Sequence, residues 1–100
     1  MSAYLIWLAT EISDPDKMGE YSAGVMPTLQ TAGARVLAAE DAPEVIEGQW
    51  DAARTVVIEF PSIEAAKTWY DSDEYRKILP LRHDASEGHL IFLNGFVPPA

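Results

Sequence analysis

The feature that most constrains this fold is a segment near the N-terminus that is apolar on both of its alternating faces. Residues 3–12 read AYLIWLATEI, a composition suited to a β-strand, in which successive side chains point to opposite sides. The two alternating sets are Tyr4, Ile6 and Leu8, and Leu5, Trp7 and Ala9. Because both sets are apolar, this strand must be covered twice. Residues 87–96, EGHLIFLNGF, predict a last strand with the same property.

A helix is predicted to follow the first strand. Asp14 is suited to cap it, because its carboxylate can accept a hydrogen bond from the first turn, and Pro15 fits the first helical position. Gly33 is a natural end, since glycine readily adopts the left-handed conformation that closes many helices. Pro27 lacks the N–H that a helix interior needs, so we expect it to kink the helix or to divide it.

The middle of the chain predicts extended structure. Residues 34–40, ARVLAAE, and residues 54–60, RTVVIEF, have the composition of strands. Between them, Asp41, Ala42 and Pro43 are expected to bend the chain, and residues 44–48, EVIEG, predict a further extended run.

A second helix is predicted after the third strand. Ser62 is suited to cap it, and Ser72 to restart it after a break near Asp71. We expect the helix to end at Pro80. Trp69 lies on its apolar stripe, so we predict that this side chain belongs to the core rather than to a catalytic site.

The resulting order is strand, helix, strand, strand, helix, strand, which is typical of the ferredoxin-like α+β fold. In that fold, four strands form an antiparallel sheet with the first and third strands in the centre, and both helices pack on one face. No linker or repeat argues for a second domain, so residues 1–100 are predicted to form one.

The other face of such a sheet would carry apolar side chains without a cover, which is rare on a monomer. We therefore predict a homodimer that forms through the helix-free sheet face, since twofold symmetry lets one surface serve both subunits. Glutamate in place of Trp7 or Leu93 is expected to split it.

Composition excludes several kinds of function. Sixteen acidic and seven basic side chains give a net charge of -9, which would repel a phosphate backbone, so no nucleic acid is expected as a partner. The chain has no cysteine and therefore no disulfide or thiolate metal site. No apolar run approaches the roughly 20 residues that span a bilayer, and no basic leader precedes residues 3–9, so we expect a cytoplasmic protein with no membrane partner.

Three segments together carry a resemblance to a known family: EVIEGQW, RTVVIEFPSIEAAKTWYDSDEY and ILPLR. They resemble the family known only as domain of unknown function 1330, of the dimeric α+β barrel superfamily. The resemblance implies the ferredoxin-like fold and the sheet-to-sheet dimer, but little chemistry. The superfamily includes cofactor-independent monooxygenases, isomerases and haem-dependent peroxidases, and fold alone does not choose among them.

Five residues are candidates for binding a small organic, possibly acidic, ligand. Arg54 could anchor a carboxylate or enolate through its planar fork of donors, or could form a structural pair with Glu47 across a hairpin. Arg82 would share the inward stripe of Tyr75 if the helix continued past Pro80, and a buried guanidinium must meet a carboxylate, a carbonyl or a ligand. Trp50 lies in a predicted turn, as a lid or a dimer contact.

His83 and Tyr21 are the candidates for moving a proton in a catalysed reaction. No metal site is predicted, because the two histidines lack matching carboxylates, and no glycine-rich loop indicates a nucleotide, so no cofactor is expected. Two functions stay open: a non-catalytic binding or stress-associated module, slightly favoured, and a cofactor-independent enzyme of the monooxygenase or isomerase type.

Overall fold

In a computed structural model that describes residues 1–99, the chain forms four strands and three helices. Their bounds are β1 Ala3–Ile12, α1 Pro15–Thr31, β2 Arg35–Glu40, β3 Arg54–Phe60, α2 Ile63–Tyr70, α3 Asp73–Ala85 and β4 Ser86–Asn94. Ala100, the last residue of the predicted domain, lies outside the described residues. None of the helices within residues 1–99 is long and apolar enough to cross a membrane.

The strands form one antiparallel sheet in the order β2-β3-β1-β4, so that β1 and β3 are central, as predicted. The helices cover the face to which Leu5 and Trp7 of β1 point, and these side chains form the core with Tyr75 of α3. Ile6 lies on the opposite face, where it pairs with Val57 of β3. This arrangement confirms the predicted ferredoxin-like α+β fold.

Helix α1 begins and ends as the sequence predicts. Asp14 accepts a hydrogen bond of 3.1 Å from the backbone N–H of Lys17. At the other end, Gly33 has a φ of 71°, and the N–H of Ala34 donates to the carbonyl oxygen of Leu29 over 2.9 Å. This is a Schellman closure, in which glycine takes a conformation that strains other residues.

The effects predicted for the two internal prolines were wrong in part. Pro27 does not divide α1, and α3 does not end at Pro80 but continues to Ala85. Both prolines are exposed, so their rings point away from the core, and we attribute the continuation to the side chains beyond them, which include Leu29 and Arg82 and are buried. Burial of these residues offsets the cost of the lost backbone hydrogen bonds.

The break between α2 and α3 falls where the serines predict it. Ser62 caps α2, and Ser72 caps α3 by accepting a hydrogen bond of 3.2 Å from the N–H of Tyr75. Asp71 ends α2. The bend places Trp69 and Tyr75 side by side, with ring centroids 4.0 Å apart, and both are buried as core residues.

The connection between β2 and β3, residues 41–53, contains neither helix nor strand. The extended run predicted for residues 44–48 was therefore wrong. Residues 46–48 bend, and Gly48 has a φ of 76°, so this segment does not form a strand on the open edge of β2. Ile46 is 83% exposed, so its side chain gains little from burial in this segment.

The helix-free face of the sheet leaves apolar side chains exposed. Ile91 and Leu93 of β4 are 50% and 47% exposed, respectively. Trp7, in contrast, lies buried under the helices, so glutamate at this position would disrupt the core and would not test an interface. Leu93 does lie on the helix-free face, so Leu93→Glu tests the predicted interface.

Candidate functional site

A cavity of about 440 Å³ lies between the helices and the sheet, within the size range of small-molecule sites. Its walls are mainly apolar and are formed by Leu5, Trp7, Val25, Leu29, Val56, Ile58, Trp69 and Leu90. Three predicted site residues border it as polar groups: Tyr21 of α1, Arg54 of β3 and Arg82 of α3. The fold thus brings together side chains that are far apart in the sequence.

Arg82 is buried in the last turn of α3, with 7% of its surface exposed. Its position follows from the continuation of α3 past Pro80, which keeps Arg82 on the same side of the helix as Tyr75. Its Nε donates a long hydrogen bond of 3.4 Å to the Tyr75 hydroxyl, and its Cζ lies 5.7 Å from the centre of the Trp7 ring. Among residues 1–99, no carboxylate lies within 4 Å of this guanidinium. A buried charge without such a partner is costly and uncommon.

Tyr21 and Tyr75 share a buried hydrogen bond of 2.8 Å between their hydroxyl oxygens. Tyr75 is fully buried and lies behind the cavity, whereas Tyr21 lines it. Burial, reinforced by Tyr75, raises the pKa of the Tyr21 hydroxyl well above its ordinary value, and Arg82 opposes the rise without cancelling it. Tyr21 therefore stays protonated near neutral pH.

Arg54 borders the same cavity but has a carboxylate partner. Its Nε and Nη2 donate to the two carboxylate oxygens of Asp41, over 2.6 and 3.0 Å. The predicted pair with Glu47 was therefore wrong. Asp41 directly follows β2, and the pairing of Glu40 with Thr55 brings it opposite the start of β3. The hydrogen bonds from Arg54 lower the pKa of the Asp41 carboxyl below its ordinary value.

Three other predicted site residues lie away from this cavity. Glu47 and Trp50 border a shallower depression on the helix-free side of the sheet, where the indole N–H of Trp50 donates to the hydroxyl of Thr55 over 2.8 Å. His83 is exposed in the last turn of α3. The structure therefore groups Tyr21, Arg54, Tyr75 and Arg82, and separates the remaining three from them.

Sequence reasoning missed two members of the site, Trp7 and Asp41. The Trp7 ring lines the cavity beneath Arg82, and its indole nitrogen is buried without a hydrogen-bond partner among the described residues. Strand alternation could not tell which face Trp7 occupies, and the prediction placed it on the helix-free face, which was wrong. No group of three or more His, Asp or Glu side chains within residues 1–99 is arranged to hold a metal ion.

Residues 2–96 match the model of the family described as "Domain of unknown function (DUF1330)". The chain belongs to this family. The assignment confirms the resemblance drawn from the three sequence segments. No curated protein matches the sequence of this DUF1330 chain.

Solved structures similar to the DUF1330 chain share its fold at low sequence identity. A protein of unknown function from Rhodopseudomonas palustris is 18% identical, with a TM-score of 0.73 over 97% of this chain and 84% of its own. SnoaB, a cofactor-independent oxygenase from Streptomyces nogalater, is 6% identical, with a TM-score of 0.63 over 97% and 93%. A dimeric ferredoxin-like protein of unknown function from Thermobifida fusca is 14% identical, with a TM-score of 0.59 over 93% and 90%. At these identities the likeness extends to the fold alone.

Proposed function

We propose that this protein binds a small organic acid in the cavity between the helices and the sheet, with Arg82 holding the acid group. The observation that carries the proposal is a buried guanidinium that borders an apolar cavity and has no carboxylate partner among residues 1–99. An anionic ligand would supply the missing partner, and its apolar body would fit the walls.

Binding without catalysis is the function that the described groups favour. Tyr21 stays protonated and His83 is exposed away from the cavity, so neither is placed to accept a proton from a bound ligand. Of the acidic side chains that border the cavity, Asp41 is held by Arg54, and Glu40 is exposed at the sheet edge. We therefore favour a module that sequesters its ligand.

A cofactor-independent enzyme is the second candidate. The guanidinium of Arg82 and the hydroxyl of Tyr21 could stabilise negative charge that develops on a substrate oxygen, as in an enolate. The shared fold with the Streptomyces oxygenase is compatible with this role. Steady consumption of any ligand that binds would favour the enzyme, and recovery of the unchanged ligand would favour the binding module.

Binding is tested with benzoate, 2-naphthoate and octanoate, each compared with its neutral amide by isothermal titration calorimetry. We expect the carboxylates to bind more tightly than the amides, and Arg82→Ala to weaken carboxylate binding by about 10- to 150-fold. Lys77→Ala is the matched control, since it removes one positive charge from the exposed side of the same helix. Equal affinity for acids and amides, or an Arg82→Ala variant that folds and binds like wild type, would contradict the proposal.

We also propose that the protein is a homodimer through its helix-free sheet face. The exposed apolar side chains of Ile91 and Leu93 support this, as does the dimeric description of the Thermobifida protein. In sedimentation equilibrium, wild type should be a dimer and Leu93→Glu a folded monomer. Gln30→Glu, which adds the same charge to an exposed position of α1, should stay dimeric. A wild type that is monomeric at every concentration tested would refute the interface.

A further inference from the structure

Three polar side chains form a chain of hydrogen bonds at the deep side of the cavity: Arg82, Tyr75 and Tyr21. A guanidinium has N–H donors and no acceptor, so the Tyr75 oxygen must accept in the bond from Arg82. The Tyr75 side chain is fully buried, and its hydroxyl bonds, among the described residues, to Arg82 and Tyr21.

These contacts fix the direction of the bond between the two tyrosines. The only described acceptor for the Tyr75 proton is the Tyr21 oxygen, 2.8 Å away. If Tyr21 donated instead, the Tyr75 proton would be buried without an acceptor among residues 1–99, which costs more than a single hydrogen bond contributes. Tyr75 therefore donates to Tyr21, and the proton of Tyr21 is free to point into the cavity that Tyr21 lines.

The same end of the cavity carries further donors. The Arg82 guanidinium lies close enough to the Tyr21 hydroxyl to oppose the rise in its pKa, and the indole N–H of Trp7, beneath Arg82, is buried without a partner among residues 1–99. Tyr21 keeps its proton, because burial raises its pKa. The Arg82 end of the cavity therefore holds several hydrogen-bond donors, and no carboxylate lies within 4 Å of Arg82 in the described part of the chain.

We infer that this end of the cavity is an oxyanion site, in which the Tyr21 hydroxyl and the Arg82 guanidinium jointly hold a carboxylate or enolate. Tyr75 is a positioning residue, since it directs the proton of Tyr21 without lining the cavity. The inference rests on the proposed function and adds to it a second donor, the Tyr21 hydroxyl, and the residue that directs its proton, Tyr75. A carboxylate or enolate accepts from both donors, whereas a protonated amine offers only donors and should not bind there.

The test measures 2-naphthoate affinity by calorimetry for Tyr21→Phe, Tyr75→Phe and the double variant. Tyr21→Phe should weaken binding by about 10-fold, as expected for a lost hydrogen bond to a charged group. Tyr75→Phe should weaken it by less, because the Tyr21 hydroxyl is still present but is no longer directed into the cavity. The double variant should be no weaker than Tyr21→Phe, because the inference has Tyr75 act through Tyr21 rather than through its long hydrogen bond with Arg82. Tyr70→Phe is the matched control, because its ring lies 5.6 Å from that of Tyr75 but its hydroxyl bonds to no described residue. It should bind like wild type.

The outcomes separate this inference from the proposed function. If Arg82→Ala weakens binding but Tyr21→Phe and Tyr75→Phe behave like Tyr70→Phe, the oxyanion site is refuted and the acid-binding function stands. If the losses of the two single variants add in the double variant, Tyr75 does not act through Tyr21. If Arg82→Ala binds naphthoate like wild type, or wild type does not bind it, the proposed function fails and the inference with it. Thermal unfolding of each variant establishes that it is folded.

Discussion

Two arginines border the same cavity, and their hydrogen-bond partners differ. Arg54 is clasped by both carboxylate oxygens of Asp41, whereas Arg82 has a tyrosine hydroxyl at 3.4 Å and no carboxylate among the described residues. A ligand that approached Arg54 would compete with two charge-assisted hydrogen bonds already formed. At Arg82, an acidic ligand would supply a carboxylate partner that residues 1–99 do not provide. An arginine is therefore a candidate ligand anchor when its guanidinium is buried and has no carboxylate partner, and not because of its residue type alone.

The Arg54 and Arg82 ends of the cavity also differ in exposure to solvent. The Arg54 side chain is 28% exposed and Asp41 is 59% exposed, so water screens their attraction. Arg82 is 7% exposed and lies against aromatic rings, where charges interact more strongly. An anion at the Arg82 end should thus be held more tightly than one at the Arg54 end.

The largest expected effect is the loss of stability on truncation of Trp69, a buried side chain in the cavity wall. Trp69 lines the cavity, stacks near Tyr75 and donates to the Thr28 hydroxyl over 2.9 Å. Trp69→Ala should lower the free energy of unfolding by about 3 to 5 kcal/mol in denaturant titration, because it removes a buried aromatic side chain. Trp50→Ala, at an exposed tryptophan, should cost about 1 kcal/mol or less. A loss below about 1 kcal/mol for Trp69→Ala would mean that its side chain is not a packing element.

An intermediate effect on stability is expected from removing the buried charge of Arg82, which distinguishes it from the more exposed Arg54. Arg82→Met removes a buried charge while keeping an apolar side chain in place, so it should raise the free energy of unfolding by about 1 to 3 kcal/mol. The same variant should lose carboxylate binding, which separates stability from function. A less stable Arg82→Met variant would show that the guanidinium is already satisfied inside the protein.

The smallest effect concerns the exposed pair. Arg54→Ala should change the free energy of unfolding by about 1 kcal/mol or less, since solvent screens the pair. The pair lowers the pKa of Asp41 in the folded protein, so its contribution is fully present above the ordinary aspartate pKa of 3.8 and is lost as the pH falls below it. Unfolding curves from pH 7 to pH 3 should therefore converge for wild type and Arg54→Ala. Curves that diverge toward acid would contradict this reading.

The sequence predicted the fold because its signals are local. Alternation in β1, the serine caps of α2 and α3 and the glycine at position 33 each act within a few residues, and the structure confirms them. Alternation could not tell which set of β1 side chains faces the helices, because both sets are apolar. The prediction therefore placed Trp7 on the helix-free face, whereas it lies buried under the helices.

The candidate site was harder to predict because it depends on two non-local outcomes. Whether Arg82 points inward depends on the continuation of α3 through Pro80, which is settled by burial beyond the proline rather than by the proline itself. The partner of Arg54 depends on the pairing of β2 with β3, which brings Asp41 opposite Arg54 and leaves Glu47 in the loop. Neither outcome can be read from residue spacing.

A crystal structure of the protein with 6-bromo-2-naphthoate tests the central claim most directly, because anomalous scattering from bromine fixes the orientation of the ligand. We predict that the carboxylate lies within hydrogen-bond distance, about 2.7 to 3.2 Å, of an Arg82 nitrogen and the Tyr21 oxygen, with the ring system in the apolar part of the cavity. A carboxylate bound to Arg54 in place of Asp41, or a ligand outside the cavity while Arg82 stays without an anionic partner, would contradict the account.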